Sequence, residues 1–151
     1  MAIALSQTIK ELAKTLGFHQ VGIAPAKILP QSQYLNEWLR QGCHGQMAYM
    51  ANHLAQRLDI TQWYPPAKSV ICVAHNYYMP DHHGVTASPE RQVGQIARYA
   101  WGRDYHKVMA KKLKELLRDI QQVDGNVEGK IAVDTAPVME KLWAQEAGIG
   151  W

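Results

Sequence analysis

The sequence is poor in cysteine, with only Cys43 and Cys72 among 151 residues. Two thiols are too few for a disulfide framework, and too few to hold an iron–sulfur cluster, which normally takes four cysteine thiolates. Cys72 lies inside the apolar run SVICVA, where a thiol is typically a small buried hydrophobic group. Cys43 stands beside His44 and is a candidate ligand or reactive thiol, although one Cys–His pair is weak evidence.

Long apolar runs are missing as well. Hydrophobic residues make up 47% of the chain, yet no stretch reaches the roughly 18 apolar residues that a membrane-spanning helix needs. The N-terminus carries lysines at helical spacing and lacks a small-residue cleavage pattern, which argues against a signal peptide. We therefore expect a single domain covering residues 1–151, soluble and cytoplasmic.

The motifs that mark several common enzyme classes are also absent. The sequence has no dinucleotide-binding glycine fingerprint after a strand, no phosphate-binding loop, no HExxH and no GxSxG elbow. Asp81, His82 and His83 could grip a metal ion, but adjacent side chains on a loop rarely form a site alone. We therefore predict no metal site.

Hydrophobic periodicity predicts alternating helices and strands. Helices are predicted over residues 3–16, 32–40, 45–58, about 105–122 and about ten residues after Pro137, and strands over 18–24, 69–77 and 130–133. This order indicates an α/β fold in which a small mixed sheet is flanked by helices on both sides. Asp104 is placed to cap the long helix, whose solvent side is basic. The net charge of +3 permits a nucleic-acid partner without requiring one, and a basic helix face is usually just solvated.

Asp134 follows the predicted strand over 130–133 and precedes the last helix. Open α/β sheets present their chemistry at the carboxyl ends of strands, which makes this acid a candidate catalytic group. Asp134 and Thr135 could instead cap the helix, with Pro137 in its first turn, and the pattern alone favours the cap. Residues 94–106 are dense in arginine, tyrosine and histidine, which suits proton donation and the holding of a large polar cofactor.

Five stretches, taken in order, resemble the epoxyqueuosine reductase family. They are LGF…VGIA, WL..G.HG.M.YM..H...R, PPAKSVI…NYY, G.IARYA.GRDYH and DTAPV.E…A..AG.GW, and they run from Leu16 to Trp151. The resemblance implies a nitroreductase-like core that binds cobalamin. It also implies reduction of epoxyqueuosine to queuosine at the wobble position of tRNA, by a monomer with no membrane contact.

The resemblance also implies roles for particular residues. The proton donor of the family falls on Asp134, which we expect to be buried, with a raised pKa. Cobalamin contacts fall on Arg57, Ala97, Arg98, Tyr99, Tyr105 and Asp134. His106 and Lys141 are expected near the substrate. Lys141 stands where many members have arginine, and lysine keeps the charge but loses the planar fork.

Members of the family continue past AG.GW into a ferredoxin-like domain with two four-iron, four-sulfur clusters, whereas this sequence stops at Trp151. We therefore expect the N-terminal part of such an enzyme, without its iron–sulfur domain, and little activity alone unless a separate ferredoxin-like partner completes it. The alternative is a non-catalytic module that docks tRNA or a partner protein through the basic helix face.

Overall fold

The structure is a computed structural model that describes residues 2–80, 94 and 96–151. The metal-binding hypothesis for Asp81, His82 and His83 lies outside these residues. The helices are α1 (Ala2–Thr15), α2 (Gln33–Arg40), α3 (Leu54–Leu58), α4 (Ile60–Trp63), α5 (Tyr105–Val123) and α6 (Glu140–Glu146), and the strands are β1 (Gln20–Pro25) and β2 (Ser69–Ala74). Short 3₁₀ turns occupy Pro30–Ser32, Ala48–Met50 and Arg98–Ala100. No helix of the described part is long and apolar enough to span a membrane.

The two strands pair antiparallel and bury opposite faces against different helices. Val21 lies opposite Val73 and Ile23 opposite Ile71, and these side chains pack on the core between α1 and α5. Successive side chains point to opposite faces of a strand, so the intervening positions pack on the other side of the sheet. There Ala24, Val70 and Cys72 contact Trp143 and its neighbours. The predicted small sheet with helices on both faces is confirmed.

The first cluster joins α1 to α5. Its buried residues are Ile9, Ala13, Phe18, Leu116 and Ile120. As predicted, Asp104 caps α5, because its carboxylate accepts the backbone N–H of His106 at 2.9 Å. A cap of this kind typically contributes about 1 kcal/mol. The cap therefore fixes where α5 begins, and the side chains of the two residues that follow it both contact Asp134.

The second cluster brings α6 unusually close to β1. Trp143, which is 3% exposed, fills the space between α6 and the sheet. A Cβ atom built on Gly22 would lie 2.1 Å from the carbonyl oxygen of Ala147, far inside van der Waals contact. Only glycine lets the two backbones approach this closely.

Residues 45–58 do not form the continuous helix that the periodicity predicts. Only Leu54–Leu58 is helical, and His53 before it takes a left-handed backbone with φ of 58°. Met47 and Tyr49 are exposed and Met50 is only partly buried, so the first half of this segment buries little apolar surface. Because helices gain most of their stability from packing such a face, composition alone overestimates the helix.

The strand predicted over 130–133 is also wrong. These residues pair with no strand in the described part of the chain, although residues 131–133 are half-buried. They are anchored at their start, where Lys130 Nζ donates to the carbonyl of Trp63 at 3.2 Å and lies 4.3 Å from its ring centroid. A short apolar run is compatible with any buried segment, and periodicity does not identify a pairing partner. The last helix is likewise shorter than predicted, at seven residues.

The two cysteines differ in reactivity for structural reasons. Burial, aided by the charge of Glu140, raises the pKa of the Cys72 thiol to about 11, whereas Cys43 is exposed. The apolar surroundings predicted for Cys72 are confirmed, since it packs on the second cluster. At pH 8 we expect a disulfide reagent to modify one thiol rapidly and the second only in denaturant. Cys43→Ser should remove the fast phase, and two fast equivalents in the unchanged chain would contradict the assignment.

Candidate active site at the start of helix α5

Asp134 lies in a tight turn whose backbone is held from α6. Its φ is 55°, in the left-handed region that aspartate and asparagine adopt more readily than most residues. Its backbone N–H donates to Oε1 of Glu140, the first residue of α6, at 2.8 Å. The interpretation of Asp134 as a helix cap is therefore wrong, because the N-cap position of α6 is Met139. The carboxylate of Asp134 is left for other contacts.

Two consecutive side chains of α5 hold that carboxylate. The hydroxyl of Tyr105 donates to Asp134 Oδ2 at 2.6 Å, and His106 Nε2 lies 3.3 Å from the same oxygen. The two rings stack on each other, with centroids 4.0 Å apart and planes inclined by 27°. Short hydrogen bonds to an ionised acceptor are among the stronger polar contacts in proteins.

The other nitrogen of His106 meets a second carboxylate. His106 Nδ1 lies 2.9 Å from Oδ1 of Asp104, the same oxygen that caps the helix. The hydrogen bond to Asp104 raises the pKa of His106, with a further contribution from Asp134. The same bond lowers the pKa of Asp104. The site thus favours a charged imidazole ring next to an ionised Asp104.

Tyr105 remains a proton-bearing group across the physiological range. Its hydrogen bond to Asp134 raises the pKa of the phenol to about 12. The phenol therefore donates a hydrogen bond to Asp134 at neutral pH and stays neutral. Because the bond fixes one lone pair of Oδ2, it also orients the carboxylate.

A row of aromatic rings leads away from the carboxylate. Tyr99 packs edge-on against Tyr105 at 6.0 Å and against Tyr77 at 6.4 Å, and we call these three residues the tyrosine row. Tyr77 and Tyr99 are largely exposed. Beside the row, the guanidinium of Arg98 lies 4.9 Å from the centroid of the Tyr78 ring. The row is an exposed apolar surface that ends at the acid.

The structure brings most of the predicted site residues together. Residues 97–99, Tyr105, His106 and Asp134 share one region, whereas two predicted members stand apart. Arg57 Nε donates to the carbonyl of Asn52 at 3.4 Å, and Lys141 Nζ lies 6.0 Å from the Trp151 ring centroid. Neither makes a hydrogen bond, ion pair or ring contact with this region among the described residues.

The expected burial of Asp134 is wrong for this chain. Its side chain is 58% exposed, and that of His106 is 40% exposed. Among the described residues, the hydrogen bonds to the carboxylate come from Tyr105 and His106 of α5. Hydrogen bonds, and not burial, therefore hold this acid in place.

Sequence reasoning missed three residues of the site. Asp104 was predicted as a cap without its bond to the imidazole, and Glu140 and Tyr77 were not singled out. A signal existed for the first, because an N-cap aspartate two positions before a histidine can reach both its amide and its ring. Glu140 and Tyr77 fall inside the family-like stretches DTAPV.E and NYY, but spacing along the chain does not fix their partners.

An α/β domain that presents an acid–imidazole–phenol cluster beside an exposed aromatic surface is suited to proton transfer next to a large bound group. Residues 57–135, just over half of the chain, match the family model described as epoxyqueuosine reductase QueG, DUF1730. The chain belongs to this family.

Individual relatives agree with the family match. The epoxyqueuosine reductase of Cyclobacterium marinum is 44% identical over 97% of the chain, and that of Gloeobacter violaceus is 48% identical over 95%. A solved epoxyqueuosine reductase carrying an epoxyqueuosine-modified tRNA-Tyr stem loop matches the whole chain, with a TM-score of 0.85 at 24% identity. The chain spans 46%, 43% and 40% of the lengths of these three proteins.

Proposed function

We propose that this chain is the cobalamin-binding part of an epoxyqueuosine reductase, and that Asp134 delivers a proton to the oxygen of the opening epoxide. The observation that carries the proposal is the clamp of Tyr105 and His106 on the Asp134 carboxylate. All three residues lie inside the segment that matches the family. The clamp aims one acid at a surface from which a substrate can approach.

The reaction defines what an acid must do. Converting an epoxide to an alkene takes two electrons and two protons and releases water, so the departing oxygen must be protonated. A positioned acid typically accelerates such a step by about 10²- to 10⁴-fold. The Asp134 side chain is largely exposed, and its neighbours in α5 carry protons. It can therefore pass a proton to a bound substrate and take up another proton from α5.

The residues present fit a corrin as the large bound group. The tyrosine row offers an exposed aromatic surface beside the acid. Residues 97–99, Tyr105 and Asp134 would hold cobalamin there, with Arg98 at the flank, and Arg57 would join them at a greater distance. When bound, cobalamin would supply the electron pair that the reduction needs, replenished from four-iron, four-sulfur clusters outside this chain.

Cobalamin retention is the direct test. Purified chain is incubated with hydroxocobalamin and desalted, and we expect corrin absorbance to remain with the protein. Tyr99→Ser should reduce the retained corrin severalfold because it removes the central ring of the row. Tyr34→Ser, which removes a more exposed tyrosine of α2, should not.

The outcome that counts against this assignment uses a longer protein. The joined enzyme consists of this chain followed by the remaining sequence of the Gloeobacter violaceus relative. If it retained no corrin while folding normally, the cobalamin assignment would be wrong.

The proposed substrate is a tRNA with a queuosine-type anticodon. The neighbour solved with an epoxyqueuosine-modified stem loop supports tRNA as the partner of this fold. A tRNA-modifying enzyme of this kind would act in the cytoplasm, and we propose that it does so as a monomer. Lys141, close to Asp134 along the chain, is the proposed additional substrate contact.

One observation favours a second candidate, a non-catalytic tRNA-docking module. A groove of about 590 Å³ runs along the basic side of α5, lined by Lys107, Lys111, Lys114 and Arg118 among others. Helical spacing turns this side away from the buried Leu116 and Ile120. Gel shifts of tRNA at two salt concentrations separate the two candidates. Salt-sensitive tRNA binding without any corrin retention would favour the module.

A further inference from the structure

The His106 ring has an unusual position, since each of its nitrogens faces a different carboxylate. We propose that His106 stores the proton that Asp134 delivers, and that Asp104 is the positioning residue that keeps this proton on the imidazole. Only the identity of the final proton acceptor, the epoxide oxygen, rests on the proposed function. The stored charge itself is a property of this chain.

The distances require a doubly protonated ring if both contacts are hydrogen bonds to ionised carboxylates. His106 Nδ1 lies 2.9 Å from Asp104 Oδ1, and His106 Nε2 lies 3.3 Å from Asp134 Oδ2. A neutral imidazole donates from one nitrogen only, whereas an imidazolium donates from both. Both carboxylate oxygens accept further bonds, from the His106 backbone N–H and from the Tyr105 hydroxyl. The pattern is that of one cation held by two anions.

The groups around His106 support the same charge state. Asp104 and Asp134 face the ring from opposite sides, and the neutral phenol of Tyr105 stacks on it. The charge of Lys107 contributes to lowering the pKa of Asp104. Tyr99 packs on Tyr105. Two carboxylates against one exposed lysine leave the surroundings negative, which agrees with the raised pKa of His106. The partly exposed ring can also exchange protons with water.

The proton path balances without any electron transfer in this chain. The Asp134 carboxylate takes the Nε2 proton of His106 and passes a proton to the oxygen of the opening epoxide, so that Asp134 ends the step as a carboxylate again. The neutral ring keeps its Nδ1 proton, hydrogen-bonded to Asp104. Water then returns a proton to Nε2. This path accounts for an exposed acid, because the imidazolium next to it supplies a proton at neutral pH without burial.

A substitution can remove the charge of Asp104 and still leave the cap of α5 in place. Asparagine is as good an N-cap as aspartate, and its side-chain oxygen can still accept the His106 backbone N–H. Asp104→Asn therefore keeps the start of α5 and removes only the negative charge. Asp119→Asn is the matched control, because it removes a carboxylate from the same helix that makes no contact with His106.

The test is an imidazole ¹⁵N NMR titration of His106 in the 151-residue chain. We expect a pKa above the ordinary histidine value, a downward shift in Asp104→Asn and in Asp134→Asn, and no change in Asp119→Asn. Unchanged thermal unfolding of Asp104→Asn shows that the helix is intact. An ordinary pKa for His106, or a pKa that is the same in Asp104→Asn, overturns the proton-storage role. This holds whether or not the chain belongs to an active reductase.

A second readout links the stored proton to turnover. Activity needs the imidazolium, so in the joined enzyme it should fall as the pH rises through the pKa of His106. Asp104→Asn lowers that pKa, and the alkaline limb of the pH profile should move to lower pH by the amount that NMR measures. An unmoved limb would overturn the role of His106 in delivery. A joined enzyme with no turnover but the expected NMR shifts would instead count against the reductase assignment.

Discussion

Asp134→Asn should lower the turnover of epoxyqueuosine-tRNA by the joined enzyme about 10²- to 10⁴-fold, the usual contribution of a positioned acid. An amide keeps the shape of the side chain but does not relay a proton. Asparagine also tolerates the left-handed backbone at this position, so the turn and the bond to Glu140 should survive. The measurement is the queuosine to epoxyqueuosine ratio in digested tRNA, by liquid chromatography with mass detection.

The same preparation supplies the control for folding and cofactor binding. Corrin absorbance after desalting should stay close to that of the unchanged joined enzyme, because the amide keeps the shape of the Asp134 side chain and the tyrosine row is untouched. Asp124→Asn, which changes a turn aspartate at the far end of α5, should leave turnover unaltered. Unimpaired turnover in Asp134→Asn would remove this residue from the chemistry.

Gly22→Ala should destabilise the chain by about 3 kcal/mol or more, at the upper end of overpacking effects. The added Cβ would lie 2.1 Å from the carbonyl oxygen of Ala147 and 2.9 Å from its carbonyl carbon. Both are backbone atoms, so relief requires α6 to withdraw from the sheet together with Trp143. For a chain of this size, we expect the midpoint of thermal unfolding to fall by about 10 °C. Circular dichroism melting measures it.

Gly125→Ala is the control for this prediction. A Cβ at Gly125 meets nothing within 4 Å, and the residue needs no positive φ. Its stability should stay within about 0.5 kcal/mol of the unchanged chain. Equal unfolding curves for the two alanine variants would show that α6 can move away from the sheet at little cost in stability. They would contradict the close packing of α6 on β1.

The parts of the fold that follow from local sequence were predictable. The run SVICVA is apolar enough for a strand packed on both faces, and β2 forms there. Asp104 caps α5 because capping depends only on neighbours along the chain. The run over 130–133 looks equally strand-like, but a strand also needs a pairing partner. The described sheet contains only β1 and β2. Whether a run finds a pairing partner depends on the tertiary fold, which periodicity does not predict.

The site shows the same division. The segments GRDYH and DTAPV pointed to Tyr105, His106 and Asp134, and the structure joins all three. The bond from Glu140 to the Asp134 amide depends on how the turn folds, which no spacing rule gives. The exposure of Asp134 depends on which elements cover it, so an expectation of burial based on position in the chain failed.

The left-handed turn at Asp134 restricts how this acid can be altered, by evolution or by an engineer. Glutamate would preserve the charge and extend its reach, yet a longer side chain is poorly suited to a φ of 55°, where strain costs about 1–3 kcal/mol. Among residues that carry a carboxylate, the backbone thus accepts the shorter one. The main chain therefore sets the length of the side chain that we propose delivers the proton, and a redesign that needs a longer side chain would have to rebuild the turn first.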